Sequence, residues 1–141
     1  MCDIRYIRRM PIIIQMRDGV IEAAFRGNIA VEDFQQLKVT LQDLESRLEV
    51  TPDRISDLSE ASFSELRASD LVAFAENRGV AKLKNKIKSA IIAPKPVQYG
   101  LTRVFMTRNQ NPAIEIMVFK DSTSAYNWIG LKEKPVDKPN A

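Results

Sequence analysis

The chain contains no histidine and only one cysteine, Cys2. The missing histidine removes the usual general base near neutral pH and the commonest metal ligand. A lone cysteine excludes an internal disulfide and is compatible with a reducing cytoplasm. Neither a GxxxxGK phosphate loop nor a GxGxxG dinucleotide fingerprint occurs. Long apolar runs are missing too: Pro11 to Ile14 and Ile114 to Phe119 fall far short of the roughly 20 residues that cross a bilayer. Arg5, Arg8 and Arg9 are followed by only a few apolar residues, which makes a poor signal peptide. A dominant charge is also absent, because a net charge of +3 does not call for a nucleic-acid partner. Together these absences argue against an enzyme with histidine-based chemistry, a metal or cofactor site, and a membrane span.

What is present suits one globular domain of α/β type. A chain of 141 residues with 45% hydrophobic and 28% charged residues can bury roughly two-thirds of its unfolded surface. Ile12 to Met16 reads as a strand, Asp18-Gly19 as a two-residue hairpin turn, and Val20 to Phe25 as the returning strand. Phe34, Leu37, Leu41, Leu44 and Leu48 recur at three- and four-residue spacing, predicting an amphipathic helix over Glu32 to Leu48. Arg54 to Leu58 is a third strand. Ser64 to Asn77 is a second helix, with Gly79 as its left-handed stop.

Ile87 to Ala93 follows as a strand closed by Pro94 and Pro96. Val97 to Thr107 is a third helix, with Gly100 as its weak point. Ile114 to Phe119 is a fifth strand, apolar enough to be central or well covered. Ser122 then caps a short helix that Gly130 ends. The domain is expected over 12–131, with an N-terminal extension at 1–11 and a disordered tail at 132–141, where "KEKPVDKPNA" has no apolar period. The expected architecture is a mixed five-stranded sheet, mostly parallel after the opening hairpin, with about four helices packed on it.

The order of elements, the strand end "DLSEASF" and, most distinctively, the closing "IEIMVFKDSTSAYNWIGL", with "IKSAIIAPKPVQYGLTRVF" between them, resemble the SpoIIAA-like proteins. These belong to the STAS group, named for sulfate transporters and anti-sigma-factor antagonists. The resemblance spans about residues 12 to 131. It implies a STAS-like fold and a non-catalytic regulatory role, binding a protein partner or a small amphipathic ligand. A lipid ligand, or peripheral contact with a membrane surface, is the alternative it suggests. A homodimer is among the assemblies this reading admits, in the cytoplasm and without a cofactor.

Phospho-regulated members of the group carry an Asp-Ser-Ser-Gly motif after the third strand. Here the matching place holds Glu65, Leu66, Arg67 and Ala68, so the acceptor serine is absent. Ser64 reads as the N-cap of the second helix, with Ser62 just ahead of it, and capping accounts for both without a switch. A hydrolase nucleophile is a poor fit, since neither a histidine base nor a GxSxG context is present. The alternating lysines at 82, 84, 86 and 88 read first as a solvated connection and second as a contact for acidic headgroups. Trp128 shares its helix face with Ala125 and Ile129, which favours the core over an exposed anchor.

In open α/β sheets, ligands gather beyond the carboxyl ends of the parallel strands. That places candidate ligand contacts at Asp57, Ser59, Pro94, Tyr99, Gly100, Arg103 and Phe105. An acidic head would sit near Arg103 and a tail against Tyr99, Leu101 and Phe105, with the segment Pro94 to Phe105 acting as a lid. The alternative is that Tyr99 packs over the sheet edge. The absent acceptor motif yields a prediction. Incubation with an anti-sigma-factor-type serine kinase should leave the segment Ser59 to Ser69 unmodified by mass spectrometry, and stoichiometric phosphate at Ser62 or Ser64 would restore the switch.

Overall fold

Asp18 and Gly19 take φ angles of 51° and 78°, the left-handed pair that a two-residue hairpin turn requires. Strand β1 (Ile12–Arg17) therefore folds back on β2 (Val20–Asn28) in antiparallel register, with Ile14 opposite Ala23. These coordinates are a computed structural model that describes residues 11–132. The expected extension before residue 11, including Cys2, and the expected tail beyond residue 132 lie outside the described residues.

Every later connection passes through a helix. Helix α1 (Val31–Arg47) leads to β3 (Asp53–Ser62), α2 (Ala68–Gly79) to β4 (Ile87–Ile92), and α3 (Pro96–Arg108) to β5 (Ile114–Phe119). Helix α4 (Ser122–Ile129) follows the last strand. The sheet order is β1-β2-β3-β4-β5, and β2 to β5 are parallel. Crossovers that all step the same way share one face under the right-handed rule. Accordingly α1, α2 and α3 pack on one side of the sheet, and α4 packs on the other. This is the mixed five-stranded α/β sheet with four helices that the sequence predicts.

The period-2 alternation of the strands builds two cores. Ile12, Ile14, Ile21, Ala23 and Phe25 meet Phe34, Leu37, Leu41 and Leu44 of α1 and Leu71 of α2. Val20, Ile55, Ala90 and Ile92 meet Ala125 and Tyr126 of α4 on the opposite face. The apolar stripe of α1 is therefore buried as its spacing predicts.

Four local expectations are corrected. Helix α2 starts at Ala68 rather than Ser64, because β3 continues to Ser62 and pairs with β2 as far as Asn28. The ladder claims those residues, Ile29 N–H donates to Ser62 O at 2.9 Å, and the helix begins only where Asp70 accepts from Arg67 N–H. Ser64 thus caps nothing; it accepts a hydrogen bond from the exposed Ser62 hydroxyl at 3.3 Å. Gly79 is not left-handed. Its missing side chain instead allows close approach, since a Cβ there would lie 3.3 Å from Gln110 N. The cap of α4 is Asp121, which accepts from Ser124 N–H at 2.7 Å, and not Ser122. Strand β5, expected to be central or well covered, is an edge strand that α3 and α4 cover in part, with Met117 left exposed.

One charged residue lies inside the α4 side. Glu22, 1% exposed, accepts from Gln15 Nε2 at 2.9 Å, from Arg17 Nε and Nη2 at 2.9 Å each, and from Tyr126 OH at 2.6 Å. Burial opposes its ionisation, but the donors from Arg17, Tyr126 and Gln15 outweigh it and hold the carboxyl below its ordinary 4.5. Burial first, then the bond to Glu22, pushes the Tyr126 hydroxyl above its ordinary range.

Two measurements check this packing. Leu41→Ala should lower the unfolding free energy by ~2–5 kcal/mol, and a change of a few tenths would place Leu41 outside the core. A depressed carboxyl stabilises the fold above its unfolded value, and that contribution disappears as pH falls through the folded value. Denaturant unfolding should therefore show Glu22→Gln costing ~1–3 kcal/mol at pH 7. The variant should also lose less stability than the parent between neutral pH and pH 3. Equal acid losses in the two proteins would mean that Glu22 is not held ionised.

Candidate functional site

The side of the sheet under α1, α2 and α3 is not filled solid. A cavity of about 100 Å³ lies there, floored by the strands and roofed by the three helices. Its floor includes Ala23, Ser56 and Ser89, small side chains at positions where larger ones would have closed the space. Its wall is aromatic: Phe25, Phe34, Phe74 and Phe105 come from β2, α1, α2 and α3 respectively. The Phe34 and Phe74 rings lie 4.8 Å apart, and the Phe74 and Phe105 rings 5.9 Å.

Buried charge enters at one end, and the exposed Arg67 before the first turn of α2 also lines the space. Arg54 near the start of β3 and Arg78 in the last turn of α2 both line the cavity, and both are buried, Arg78 to 1% exposure. Glu45 of α1 lies behind them. Arg54 Nη2 donates to Glu45 Oε2 at 3.0 Å, and Arg78 Nη2 donates to the same oxygen. Two guanidiniums therefore share one carboxylate, and the set carries an excess positive charge. Burial, and then repulsion from Arg78, push Arg54 down to about 10 despite the attraction of Glu45.

The donor inventory is also incomplete. Arg54 Nε, Arg78 Nε and Arg78 Nη1 have no hydrogen-bond partner among the described residues. A buried donor left unmatched costs more than an ordinary hydrogen bond contributes. Arg78 itself is firmly placed, because Asn111 Nδ2 donates to Arg78 O at 3.2 Å and to Ala81 O at 2.7 Å. No described Asp or Glu lines the cavity, and no described group of three or more acidic or cysteine side chains could hold a metal ion.

The residues expected from the sequence are divided by this geometry. Phe105 and Leu101 line the cavity. The others surround the carboxyl ends of the strands and do not. Asp57 Oδ1 accepts from Ser59 N–H at 2.9 Å, a local contact within β3 where its register with β2 shifts. Pro94, Gly100 and Arg103 are exposed. The Tyr99 ring lies beneath two cations, with Arg103 at 5.9 Å and Lys120 at 5.4 Å, so Tyr99 packs over the end of β5. At the start of the expected lid, Gln98 Nε2 donates to Leu58 O at 2.6 Å and Ala61 O at 3.0 Å, joining α3 to β3.

Two of the four alternating lysines have structural work. Lys84 Nζ donates to Ser46 O and Leu48 O at the end of α1, where a cation complements the helix dipole. Lys88 Nζ lies 5.0 Å from the Trp128 ring and donates to Trp128 O. Trp128 itself is half-buried against Phe119, with ring centroids 5.8 Å apart. No described helix is long and apolar enough to cross a membrane.

Sequence reasoning missed Glu45, Arg54 and Arg78, yet a signal existed. Glu45 stands four residues after Leu41, and Arg78 stands four after Phe74 and seven after Leu71. Both are charges on an otherwise apolar helical stripe.

No family model and no curated protein matches this chain. Among solved structures, it is similar to an uncharacterised protein of the DUF3478 family from Shewanella loihica PV-4, which has a SpoIIAA-like fold. The two are 21% identical, the match covers 84% of this chain and 91% of the other, and the TM-score is 0.54. With the hairpin, the parallel β2–β5 run and the two-sided helix arrangement already in place, that likeness establishes the architecture: this chain has the SpoIIAA-like fold that its strand-end and closing segments resemble.

Proposed function

We propose that this chain is a non-catalytic, STAS-type regulatory module that binds a small amphipathic molecule in the cavity beneath α1, α2 and α3. The observation that carries this reading is the meeting, in one space, of an aromatic wall with two buried guanidiniums that share a single carboxylate. Mostly apolar pockets with a few placed polar groups are the usual form of a small-molecule site. The non-catalytic part rests on a sequence without histidine and on a cavity whose described lining holds no carboxylate base. A lipid is the alternative ligand of the same site, and a cytoplasmic location fits either. Ligand occupancy would act on three elements at once, since Glu45, Arg54 and Arg78 belong to α1, β3 and α2.

A protein partner is the second reading, favoured by β5. It is an edge strand with Met117 41% exposed, and an uncovered edge presents unpaired backbone groups to an incoming strand. One experiment addresses both readings. Native mass spectrometry of the protein as purified should show a monomer carrying a retained small acid that is lost on denaturation. A ligand-free dimer would move the function to the β5 edge. A ligand-free monomer that also fails to take up added amphiphiles would remove the small-molecule reading.

A further inference from the structure

The chemistry of the cavity narrows its ligand, an argument that rests on the ligand-binding reading above. Three properties act together. The first is charge: the buried Arg54 and Arg78 share one carboxylate, Glu45, with the half-buried Asp53 also acting on Arg54, and the exposed Arg67 lines the cavity as well. The second is the donor set: Arg54 Nε, Arg78 Nε and Arg78 Nη1 lack an acceptor among the described residues, on residues more than nine-tenths buried. The third is size. A cavity of about 150 Å³ lined by apolar side chains holds benzene, and this one is about 100 Å³.

From these we infer that the site takes a compact monocarboxylate, an aliphatic or aromatic acid whose apolar part is no larger than about a benzene ring. Its carboxylate sits on the Arg54–Arg78 pair and its apolar part lies among Phe34, Phe74 and Phe105. Carboxylate oxygens accept from the unmatched N–H groups of the two buried arginines in charge-assisted bonds. A long acyl chain would need several times the space. The head lies at the amino ends of the parallel strands, since Arg54 is the second residue of β3 and Arg78 stands in the last turn of α2. That end is opposite the one where open α/β sheets usually gather ligands.

The test uses the full chain and five probes: hexanoate, benzoate, hexanamide, hexyl phosphate and palmitate. Titration calorimetry is paired with NMR of the arginine Nε–H resonances. Hexanoate and benzoate should bind and shift the Arg54 and Arg78 signals, and hexanamide should bind roughly tenfold more weakly or worse. Arg78→Met should erase the preference of hexanoate over hexanamide. Should that variant fail to fold, the comparison of hexanoate with hexanamide on the parent protein decides alone.

Equal affinity for acid and amide would overturn the charge assignment while leaving the cavity as a binding site. Tighter binding of palmitate or hexyl phosphate than of hexanoate would overturn the monocarboxylate and point to a lipid or a phosphate. If neither hexanoate nor benzoate binds, the inference fails. If hexanamide and palmitate also fail and the purified protein carries no ligand, the wider small-molecule reading fails with it.

Discussion

A single carboxylate oxygen on α1 receives guanidinium donors from β3 and from α2, and the helix side of the fold is organised around that contact. Glu45, Arg54 and Arg78 are all buried, so none can exchange its partner for bulk water. Removing one member of such a buried set typically costs ~3–5 kcal/mol, because the remaining charge stays stranded. The same burial makes the set a sharp positional constraint. Helices α1 and α2 must bring their last turns together over the start of β3, and Phe34 and Phe74 then meet ring to ring on the cavity wall.

The two faces of the sheet handle buried charge in opposite ways. On the α4 side, Glu22 has four donors from Gln15, Arg17 and Tyr126, and its carboxyl is held ionised. That cluster is closed, with donors and acceptor matched, and its consequence is stability. On the side of α1 to α3, cations exceed anions and several N–H groups lack acceptors. Burial, and then the repulsion of Arg54 by Arg78, lowers the affinity of Arg54 for its proton. A protein that can satisfy a buried carboxylate fully on one face, yet leaves two guanidiniums short of acceptors on the other, separates a structural ion cluster from a receptive one.

Topology explains why the carboxyl ends of the strands do not form the site. A crevice opens in a parallel sheet where the strand order reverses and neighbouring helices leave on opposite faces. Here the order rises without reversal from β1 to β5, so α1, α2 and α3 form one continuous layer and no such crevice arises. Gln98 then ties the start of α3 to the end of β3. Space remains instead between the layers, where Ala23, Ser56 and Ser89 keep the floor low.

Local sequence determined the elements that depend on neighbours along the chain. Asp18-Gly19 set the hairpin, the leucine spacing set the buried face of α1, and Gly130 ended α4 in the left-handed region. These features follow from backbone sterics and periodicity within a few residues, so they were legible before any folding. The start of α2 was not, because Ser59 to Ser62 join β3 only when Arg26 to Asn28 of β2 lie alongside. The edge position of β5 was equally hidden, since an apolar strand reads the same whether a strand or a helix layer covers it. The cavity belongs to the tertiary structure entirely. Glu45, Arg54 and Arg78 come from three elements separated by up to 33 residues, and each alone is an ordinary charged residue. Only the superposition of α1 and α2 on β3 gives two cations one shared carboxylate and a space to face.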